Sequence, residues 1–546
     1  MSSARGGSST AAAADVATAA PAAPEMSSLA RFRRTVFPIY GREEAKKFFL
    51  VGSIKFFVIM ALTLTRDLKD TMLVTQCGAE AISFLKIYGV LPAATGFIAL
   101  YSKMASVLDK KTLFYTTCIP FFVFFLLFDR IIYPNASSIQ PTLELAQSAL
   151  GIDAAATGFL SVLARIASNW TSALYYIIAE LYSSVSVGVL FWQFANDVVE
   201  VDQAKRFYPL FAQMSGLAPI LAGQYAVRYA SRAADFRTSL TRLTAATTFA
   251  GVMMCLFYSL SVAYMERQQR AKEEAEATSG GRGGDEKEAE PVPVPAPKKK
   301  GKKPKMSMTE SARFLASSQY MRLIAILVLS YGLTVNMTDV LWKSILKKRY
   351  PDPLDYQRFM GNFSSVVGLS TCIVIFFGVH VIRLLGWRVG ALVTPVTMAT
   401  LGLPFFACVL MGLDGPGRLG LAVAVGTVQT LLSKTAKYAL FDPTTQMAYI
   451  PLDEESKVKG KAAIDVLGSR LGKSGGSLLQ QFLVLAFGDM LSAAPAVAVL
   501  FYTLLFGWMN SARRLGGLFE ARTEMAKAEG QENKEQQQEE KRKKEL

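Results

Sequence analysis

The sequence predicts an all-α polytopic membrane protein with about twelve transmembrane helices in two six-helix bundles. Hydrophobic residues make up 51% of the 546 residues, and mean hydropathy is +0.28. Charged residues are only 19% and cluster outside long apolar stretches. A soluble protein spreads its charges over its surface, so this segregation favours a bilayer as the solvent. Twelve apolar segments are long enough to cross a bilayer as helices.

The chain begins with an N-terminal segment, residues 1–34, that is Ala/Ser-rich, poor in acid and predicted to be disordered. It lacks the apolar core of a secretory signal and has the composition of a targeting-peptide remnant. The first bundle is predicted over residues 35–265. Its six spans are 48–65, 82–102, 112–129, 171–193, 207–229 and 243–265.

A change of composition over residues 266–318 predicts a flexible, basic linker. It contains a glycine-rich stretch from Gly280 to Gly284, a Pro/Val run from Pro291 to Pro297 and the cluster PKKKGKKPK. The second bundle is predicted over residues 319–513, followed by a charged tail, 514–546. Its six spans are 322–342, 363–385, 390–411, 420–441, 462–488 and 492–509.

Two sets of six spans around a basic linker are typical of the major facilitator type, in which two bundles enclose a central site. An even number of spans in each half places the basic N-terminal, central and C-terminal segments on one face. A basic, Gly-containing turn, Arg383–Arg388, follows the eighth span, where this architecture has one, and a poorer counterpart, Leu108–Lys111, follows the second.

The composition excludes several classes of function. The net charge of +16 fits either a nucleic-acid-binding protein or basic loops that orient a membrane protein, and the position of the basic blocks beside apolar spans favours the second. The five cysteines are scattered, with no CxxC pair, and His380 is the one histidine. We therefore expect no metal site, no cofactor, no nucleic-acid partner and no histidine-dependent enzyme.

Charged residues inside the predicted spans are the main functional signal, because each costs about 2.5–3.5 kcal/mol at the centre of an inserted helix. They are Lys55, Lys86, Glu180, Asp339, Lys343, Lys434, Lys437, Arg470 and Lys473.

Some of these charges have a purely structural explanation. Lys343, Lys434 and Lys437 lie near span ends, from which we expect them to reach the headgroups. Asp339 precedes Lys343 by four residues, the favourable order for an intrahelical ion pair. Glu180 has apolar sequence on both sides, which places its carboxylate near the middle of the membrane and favours a functional or paired role.

The eleventh span combines cations with small residues in the stretch Gly468–Gly476. Glycines allow close helix approach and expose backbone amides, so Arg470 and Lys473 fit an anion-binding cavity. The stretch is not a P-loop, since Gly468 and Gly472 enclose three residues where that motif has four, and no strand precedes it.

Motifs in both halves resemble the ATP/ADP antiporters of plastids and obligate intracellular bacteria, over roughly residues 35–515. In the first half they are Arg66–Asp70, Gly78–Ala81, Phe84–Lys86, Tyr88–Pro92, Ala179–Tyr182, Phe191–Asn196 and Ala204–Phe211. In the second half they are Phe359–Ser364, Ser433–Tyr438, Pro451–Asp453, Lys457–Lys461 and Gly472–Gly476.

This resemblance implies counter-exchange of nucleoside phosphates without ATP hydrolysis, by a twelve-span facilitator-like fold. The four charged positions linked to transport in the family fall on Lys86, Glu180, Asp339 and Lys473. The family usually has Glu where this chain has Asp339. The shorter carboxylate keeps the charge but loses reach.

We therefore expect an antiporter in which Lys86 and Lys473 hold the phosphates, with Arg470 in reserve, while Glu180 and Asp339 balance the cations of the empty site. Tyr88 and Trp192 are candidates for stacking on the base. We expect a monomer in the lipid bilayer, and the resemblance alone implies the plastid inner envelope.

Three alternatives stay open on the residues. They are a transporter of another phosphorylated anion, proton-coupled or not, a membrane-embedded enzyme and an uncoupled channel.

Overall fold

A computed structural model shows a chain of helices. It describes residues 39, 41–153, 157–279, 308–452, 456, 460–461, 463–464 and 474–545. These residues form helices, turns and bends, with no strand among them. The chain divides into compact units at Lys46, and the contacts given below lie within the unit Lys47–Leu546.

The helices before the linker include long apolar helices, as the sequence predicts. We leave out the short helices and number the principal ones in chain order. They are α1 (Gly41–Cys77), α2 (Ala81–Val107), α3 (Lys110–Ile132), α4 (Phe159–Ser168), α5 (Trp170–Val198), α6 (Val201–Arg228) and α7 (Phe236–Ser279). Helix α1 continues twelve residues beyond position 65, where the predicted first span ends. Helix α7 runs to Ser279, past the predicted end of its span at 265.

The helices after the linker follow the same pattern. They are α8 (Met308–Ser317), α9 (Gln319–Arg349), α10 (Pro353–Leu410), α11 (Pro416–Ala436), α12 (Gly476–Phe487) and α13 (Ala494–Glu545). Helix α10 holds two predicted spans, which are separated at Gly386, where φ is 83° and ψ is 169°. The helix axis is interrupted there, so the predicted turn at Arg383–Arg388 is present. Only glycine adopts such a conformation readily.

Nine helices among the described residues are long and apolar enough to cross a membrane. The predicted fifth span lies in α6, and Gly476–Phe487 holds the end of the eleventh. Helices α2, α3 and α5 contain π-helical turns, at Leu85–Val90, Phe128–Ile132 and Ser186–Gln193, and a further π turn, Lys437–Phe441, follows α11. A π turn adds a residue to the helix and re-aims the side chains around it, and such turns occur often at functional sites.

Helices that precede the linker pack against helices that follow it, and two of these contacts are close. Helix α6 packs against α10, where Gln224 Nε2 donates to Ser365 Oγ at 3.2 Å. Helix α2 packs against α12, where Gln481 Nε2 donates to the carbonyl oxygen of Ser83 at 3.0 Å. Gly223 lets the backbones of α6 and α10 approach, because a Cβ there would overlap Gly361 O and Ser365 Oγ.

We expect Gly223→Ala to lower the melting temperature of the detergent-solubilised protein by a few °C. Overpacking a tight contact costs about 1–3 kcal/mol. The matched control is Gly96→Ala in α2, where a Cβ meets nothing within 4 Å and the melting temperature should not fall. Equal melting temperatures for wild type and Gly223→Ala would contradict the close contact between α6 and α10.

Candidate functional site

A polar cavity of about 250 Å³ lies between the helices that precede the linker and those that follow it. We call it the central cavity. The first half of the chain lines it from α1, α2 and α5, and the second half from α9, α10 and α11. Among the described residues, five cations and four carboxylates line its wall. They are Arg66, Lys69, Lys86, Lys343 and Lys434, and Asp67, Asp70, Glu180 and Asp339.

Helix α1 supplies the largest group of these charges, which the sequence analysis places beyond the end of the first span. The helix continues through them to Cys77, so Lys69 and Asp70 are 4% and 5% exposed. The boundary at position 65 was wrong because mean hydropathy falls where charges appear. The sequence signal that could have found them is the balanced run Arg66–Asp70, followed by uncharged residues up to Cys77.

Six of these charges form one chain of ion pairs with alternating sign. It runs in the order Glu180, Lys69, Asp70, Lys343, Asp339, Lys434. Lys69 Nζ lies 3.1 Å from Glu180 and 2.8 Å from Asp70. Lys343 Nζ lies 2.9 Å from Asp70 and 2.7 Å from Asp339, and Lys434 Nζ lies 3.6 Å from Asp339. Each charge has a partner, which offsets the free-energy cost of taking it out of water.

The pair between Asp70 and Lys343 joins the two halves of the chain. Asp70 belongs to α1 and Lys343 to α9, and the two residues are 273 positions apart in sequence. The expected ion pair between Asp339 and Lys343 is present. The expectation that Lys343 and Lys434 reach the headgroups was wrong, since Lys343 is 6% exposed and both side chains line the central cavity. Helix α9 continues beyond its predicted span end to Arg349, which places Lys343 among polar partners, and Lys434 reaches Asp339 from α11.

Lys86 differs from the other lysines of the cavity. It lies in the π turn Leu85–Val90, and its Nζ donates to Asn336 Oδ1 of α9 at 2.7 Å. Among the described residues, no carboxylate oxygen comes within 4.0 Å of this ammonium. A neutral amide satisfies one of its three donors and leaves its positive charge uncompensated by direct contact. An entering anion can therefore bind Lys86 without displacing a carboxylate from it.

The structure brings together three of the five predicted site residues. Lys86, Glu180 and Asp339 all line the central cavity, whereas Arg470 and Lys473 lie outside the described residues. Gln480, one turn into α12, is fully buried, and its Nε2 donates to the carbonyl oxygen of Asn336 at 2.6 Å. The helix that follows Lys473 is therefore attached to the residue that holds Lys86.

Two other intramembrane cations lie away from the central cavity. Lys55 lies over the ring of Trp192 at 4.8 Å, and Lys437 pairs with Asp442 at 2.9 Å. Among the described residues that line the cavity, the aromatic ones are Tyr176 and Phe363, and neither Tyr88 nor Trp192 is among them. Tyr88 instead donates its hydroxyl to Gln481 Oε1 at 3.1 Å.

No group of three or more His, Cys, Asp or Glu side chains in the described ranges is arranged to hold a metal ion. The carboxylates of the central cavity are instead bound by ammonium groups, so the site is built from lysine–carboxylate contacts between helices. A cavity of this kind recognises anions that carry several oxygen atoms, because ammonium groups donate strong hydrogen bonds to phosphate and carboxylate.

Comparison with known proteins identifies the family. The model of the TLC ATP/ADP transporter family matches residues 23–519, which cover most of the chain. The chain belongs to this family of transporters. Family membership rules out the alternative that the protein is a membrane-embedded enzyme, because members of this family are transporters.

Relatives in plants and bacteria also match most of the chain. The "ADP,ATP carrier protein 1, chloroplastic" of Arabidopsis thaliana is 38% identical over 503 residues, with 88% of this chain and 75% of that protein covered. The "ADP,ATP carrier protein 1" of Chlamydia trachomatis is 38% identical over 503 residues, with 90% and 91% covered. A bacterial homologue of the iron transporter ferroportin is similar in structure at 13% identity, with a TM-score of 0.50 over 85% of this chain and 98% of that one. The predicted fold class, an all-α membrane transporter of the facilitator type, is confirmed.

We expect Asp70→Asn to destabilise this TLC family member strongly. The substitution leaves Lys69 and Lys343 buried with one carboxylate fewer, and breaking a buried pair costs about 3–5 kcal/mol. The melting temperature in detergent measures the effect. Asp355→Asn is the matched control, since Asp355 pairs with Arg358 at 3.0 Å where both side chains are about half exposed, and such pairs contribute at most about 1 kcal/mol. Equal shifts for the two variants would contradict the account of the cavity.

Proposed function

We propose that the chain is a nucleotide antiporter, which exchanges nucleoside di- and triphosphates across a membrane by alternating access to the central cavity. The observation that carries the proposal is the cavity itself, which draws cations from both halves of the chain. Its wall holds one more cation than carboxylates, and Lys86 has no carboxylate in contact among the described residues. Family membership directs the choice among anions, because curated relatives at 38% identity are named ADP,ATP carriers.

The first step of transport is the exchange of carboxylates for phosphates around the lysines. A polyphosphate carries several negative charges and many acceptor oxygens, so it can replace Glu180 at Lys69 and Asp339 at Lys434. The released carboxylates then face the water of the open cavity. Because every broken ion pair is replaced by another charge-assisted contact, the loaded site stays electrostatically balanced.

The proposed cause of strict exchange is the contact between Asp70 and Lys343. This buried pair and the hydrogen bond from Lys86 to Asn336 both join the two halves. In the empty cavity, separating the halves would leave each charge buried without its partner, which raises the free energy of the intermediate. Bound phosphates supply a substitute partner for Lys343. The protein therefore switches the side of the membrane to which its cavity opens readily only when a nucleotide is bound.

We extend this proposal to the residues that hold the substrate. Lys86 from the first half and Lys473 from the second would clamp the phosphates, with Arg470 close by in sequence. Glu180 and Asp339 would balance the cations of the empty site, and their pairing with Lys69, Lys343 and Lys434 supports that part. Residues 35–265 and 319–513 would move as two bundles. The protein would act as a monomer.

The proposed location is the plastid inner envelope membrane. The support for it is that two relatives at 38% identity carry the description chloroplastic. Bacterial carriers match the chain equally well, so a fluorescent fusion followed against a plastid envelope marker is the test. A fusion that localises to any other membrane would contradict this location and leave the exchange activity unaffected.

Purified protein in lipid vesicles tests the exchange. Vesicles preloaded with ATP should take up labelled ATP, whereas vesicles without internal nucleotide should not. Uptake into empty vesicles at the same rate would favour an uncoupled channel and contradict antiport. Competition by unlabelled sugar phosphates as strong as that by nucleotides would favour a transporter of other phosphorylated anions.

Substitution of Lys86 tests the site. We expect Lys86→Gln to raise the KM for ATP about tenfold or more, because one charge-assisted contact to phosphate is lost. Lys86→Arg keeps the charge and should retain most of the uptake. Lys111→Gln, on an exposed lysine outside the cavity, is the matched control and should behave as wild type. We also expect Lys473→Gln to reduce uptake in folded protein. Unchanged uptake by both Lys86→Gln and Lys473→Gln would contradict the proposal that these two lysines bind the phosphates.

A further inference from the structure

A second polar cavity, of about 390 Å³, lies beyond the central cavity towards the end of α9. We call it the distal pocket. The first half of the chain contributes Glu80 and Arg165, and the second half contributes Ser344, Lys347, Lys348 and Asp489. Both halves are needed to form it. The motif Gly78–Ala81 contributes Glu80 to the lining, whereas Arg165 and Lys347 belong to none of the motifs named above.

The distal pocket lies in series with the central cavity along α9. Asp339 and Lys343 line the central cavity, and Lys347, one further turn along the helix, lines the distal pocket. Positions four apart lie on one side of a helix, and the rise between them is about 6 Å. The contact of Ser344 Oγ with Glu80 Oε1, at 3.3 Å, lies between the two cavities.

The pocket opens on the face where α1 and α9 end, which we call the distal face. Cys77, the last residue of α1, contacts the carbonyl oxygen of Arg165 through its sulfur at 3.5 Å, and α9 ends at Arg349. Helix α9 begins, at Gln319, on the other side of the protein, where the helices leading to and from the linker lie. A substrate that crosses the protein through the central cavity therefore passes the distal pocket.

In the part of the chain that the structure describes, the cations of the distal pocket have no carboxylate partners. Among the described residues, no carboxylate oxygen lies within 4.0 Å of Arg165, Lys347 or Lys348. Arg165 Nε is buried and makes no hydrogen bond within that part of the chain. A buried guanidinium donor without an acceptor is unfavourable unless a ligand or solvent supplies one.

The carboxylates of the pocket are occupied by other donors. Asp489 Oδ1 accepts from the backbone nitrogens of Leu491 and Ser492, each at 2.8 Å, and its Oδ2 accepts from Ser492 Oγ at 3.0 Å. Glu80 is 9% exposed and accepts from Ser344. Within the described ranges, three cations against two carboxylates leave the lining with a positive excess, in contrast to the ion-pair chain of the central cavity.

We propose that the distal pocket is a second phosphate-binding site, which holds the phosphates of a nucleotide as it enters or leaves through the distal face. The inference rests on the proposed function. Arg165 presents a planar fork of donors that fits phosphate oxygens, and Lys347 and Lys348 face it from the other half. The site raises the local concentration of nucleotide next to the central cavity and acts from one side of the membrane only.

The experiment compares the two faces of the protein in vesicles. A C-terminal affinity tag sorts vesicles by orientation, and the KM for ATP is measured with ATP added outside to each population. We expect Arg165→Gln and Lys347→Gln each to raise the KM about tenfold at the distal face, and to leave it unchanged at the other face. Arg165→Lys should restore part of the affinity. The increase in KM should shrink at high ionic strength.

Arg349→Gln is the matched control, because it removes the same charge from the end of the same helix at an exposed residue that does not line the pocket. It should keep the wild-type KM at both faces. Melting temperatures confirm that each variant is folded, and if Arg165→Gln fails to fold, Lys347→Gln and the exposed Lys348→Gln replace it.

The outcomes separate the two proposals. Wild-type protein that does not exchange nucleotides contradicts the proposed function. Wild-type exchange with variants whose KM is unchanged at the distal face, or raised equally at both faces, overturns the distal phosphate site alone.

Discussion

The buried ion pair between Asp70 and Lys343 is the interaction on which the arrangement of the cavity depends. The two side chains meet at 2.9 Å, each about 5% exposed, and they come from helices on opposite sides of the linker. A charge in such surroundings is tolerated only with a partner, so the pair determines where α1 and α9 approach each other. Lys69 and Asp339 extend it on either side, and Glu180 and Lys434 complete the chain.

The same constraint links structure to transport. A cavity of isolated lysines would bind phosphate tightly and release it slowly, and it would be costly to empty. Carboxylates that take the place of phosphate reduce that cost, because the empty site has its own set of partners. The free energy of binding is then the difference between lysines paired with phosphate and lysines paired with carboxylates. A difference of this kind is compatible with repeated loading and unloading from both sides. In the transport mechanism that we propose, Lys86, held by an amide rather than a carboxylate, gives an arriving phosphate its first contact.

Local patterns in the sequence predict much of the fold. Apolar runs locate the long helices, and Gly386 marks the turn between two of them because its positive φ requires glycine. Glu180 is predictable as an inward-facing residue because apolar sequence surrounds it. Lys86 and Asp339 also lie in the cavity wall, but their assignment to a site depended on family resemblance.

The remainder of the site depends on contacts that a single sequence does not display. Lys69 and Asp70 look like the end of a span, since a hydropathy profile averages over neighbours and cannot see a partner 273 residues away. Lys343 and Lys434 looked like headgroup-facing lysines for the same reason, since their partners Asp70 and Asp339 lie on other helices or on a helix that continues past its predicted end. The cations of the distal pocket are not predictable from the sequence, because Arg165 and Lys347 are brought together only by folding.

The most direct test of the central claim is uptake of labelled ATP into vesicles that contain no nucleotide, measured for Asp70→Asn/Lys343→Met beside wild type. Removing both members of the pair removes the interaction that holds the empty halves together without leaving either charge alone. Our account predicts that the double variant takes up ATP into empty vesicles while wild type does not. A double variant that still exchanges ATP but takes up none into empty vesicles would contradict it.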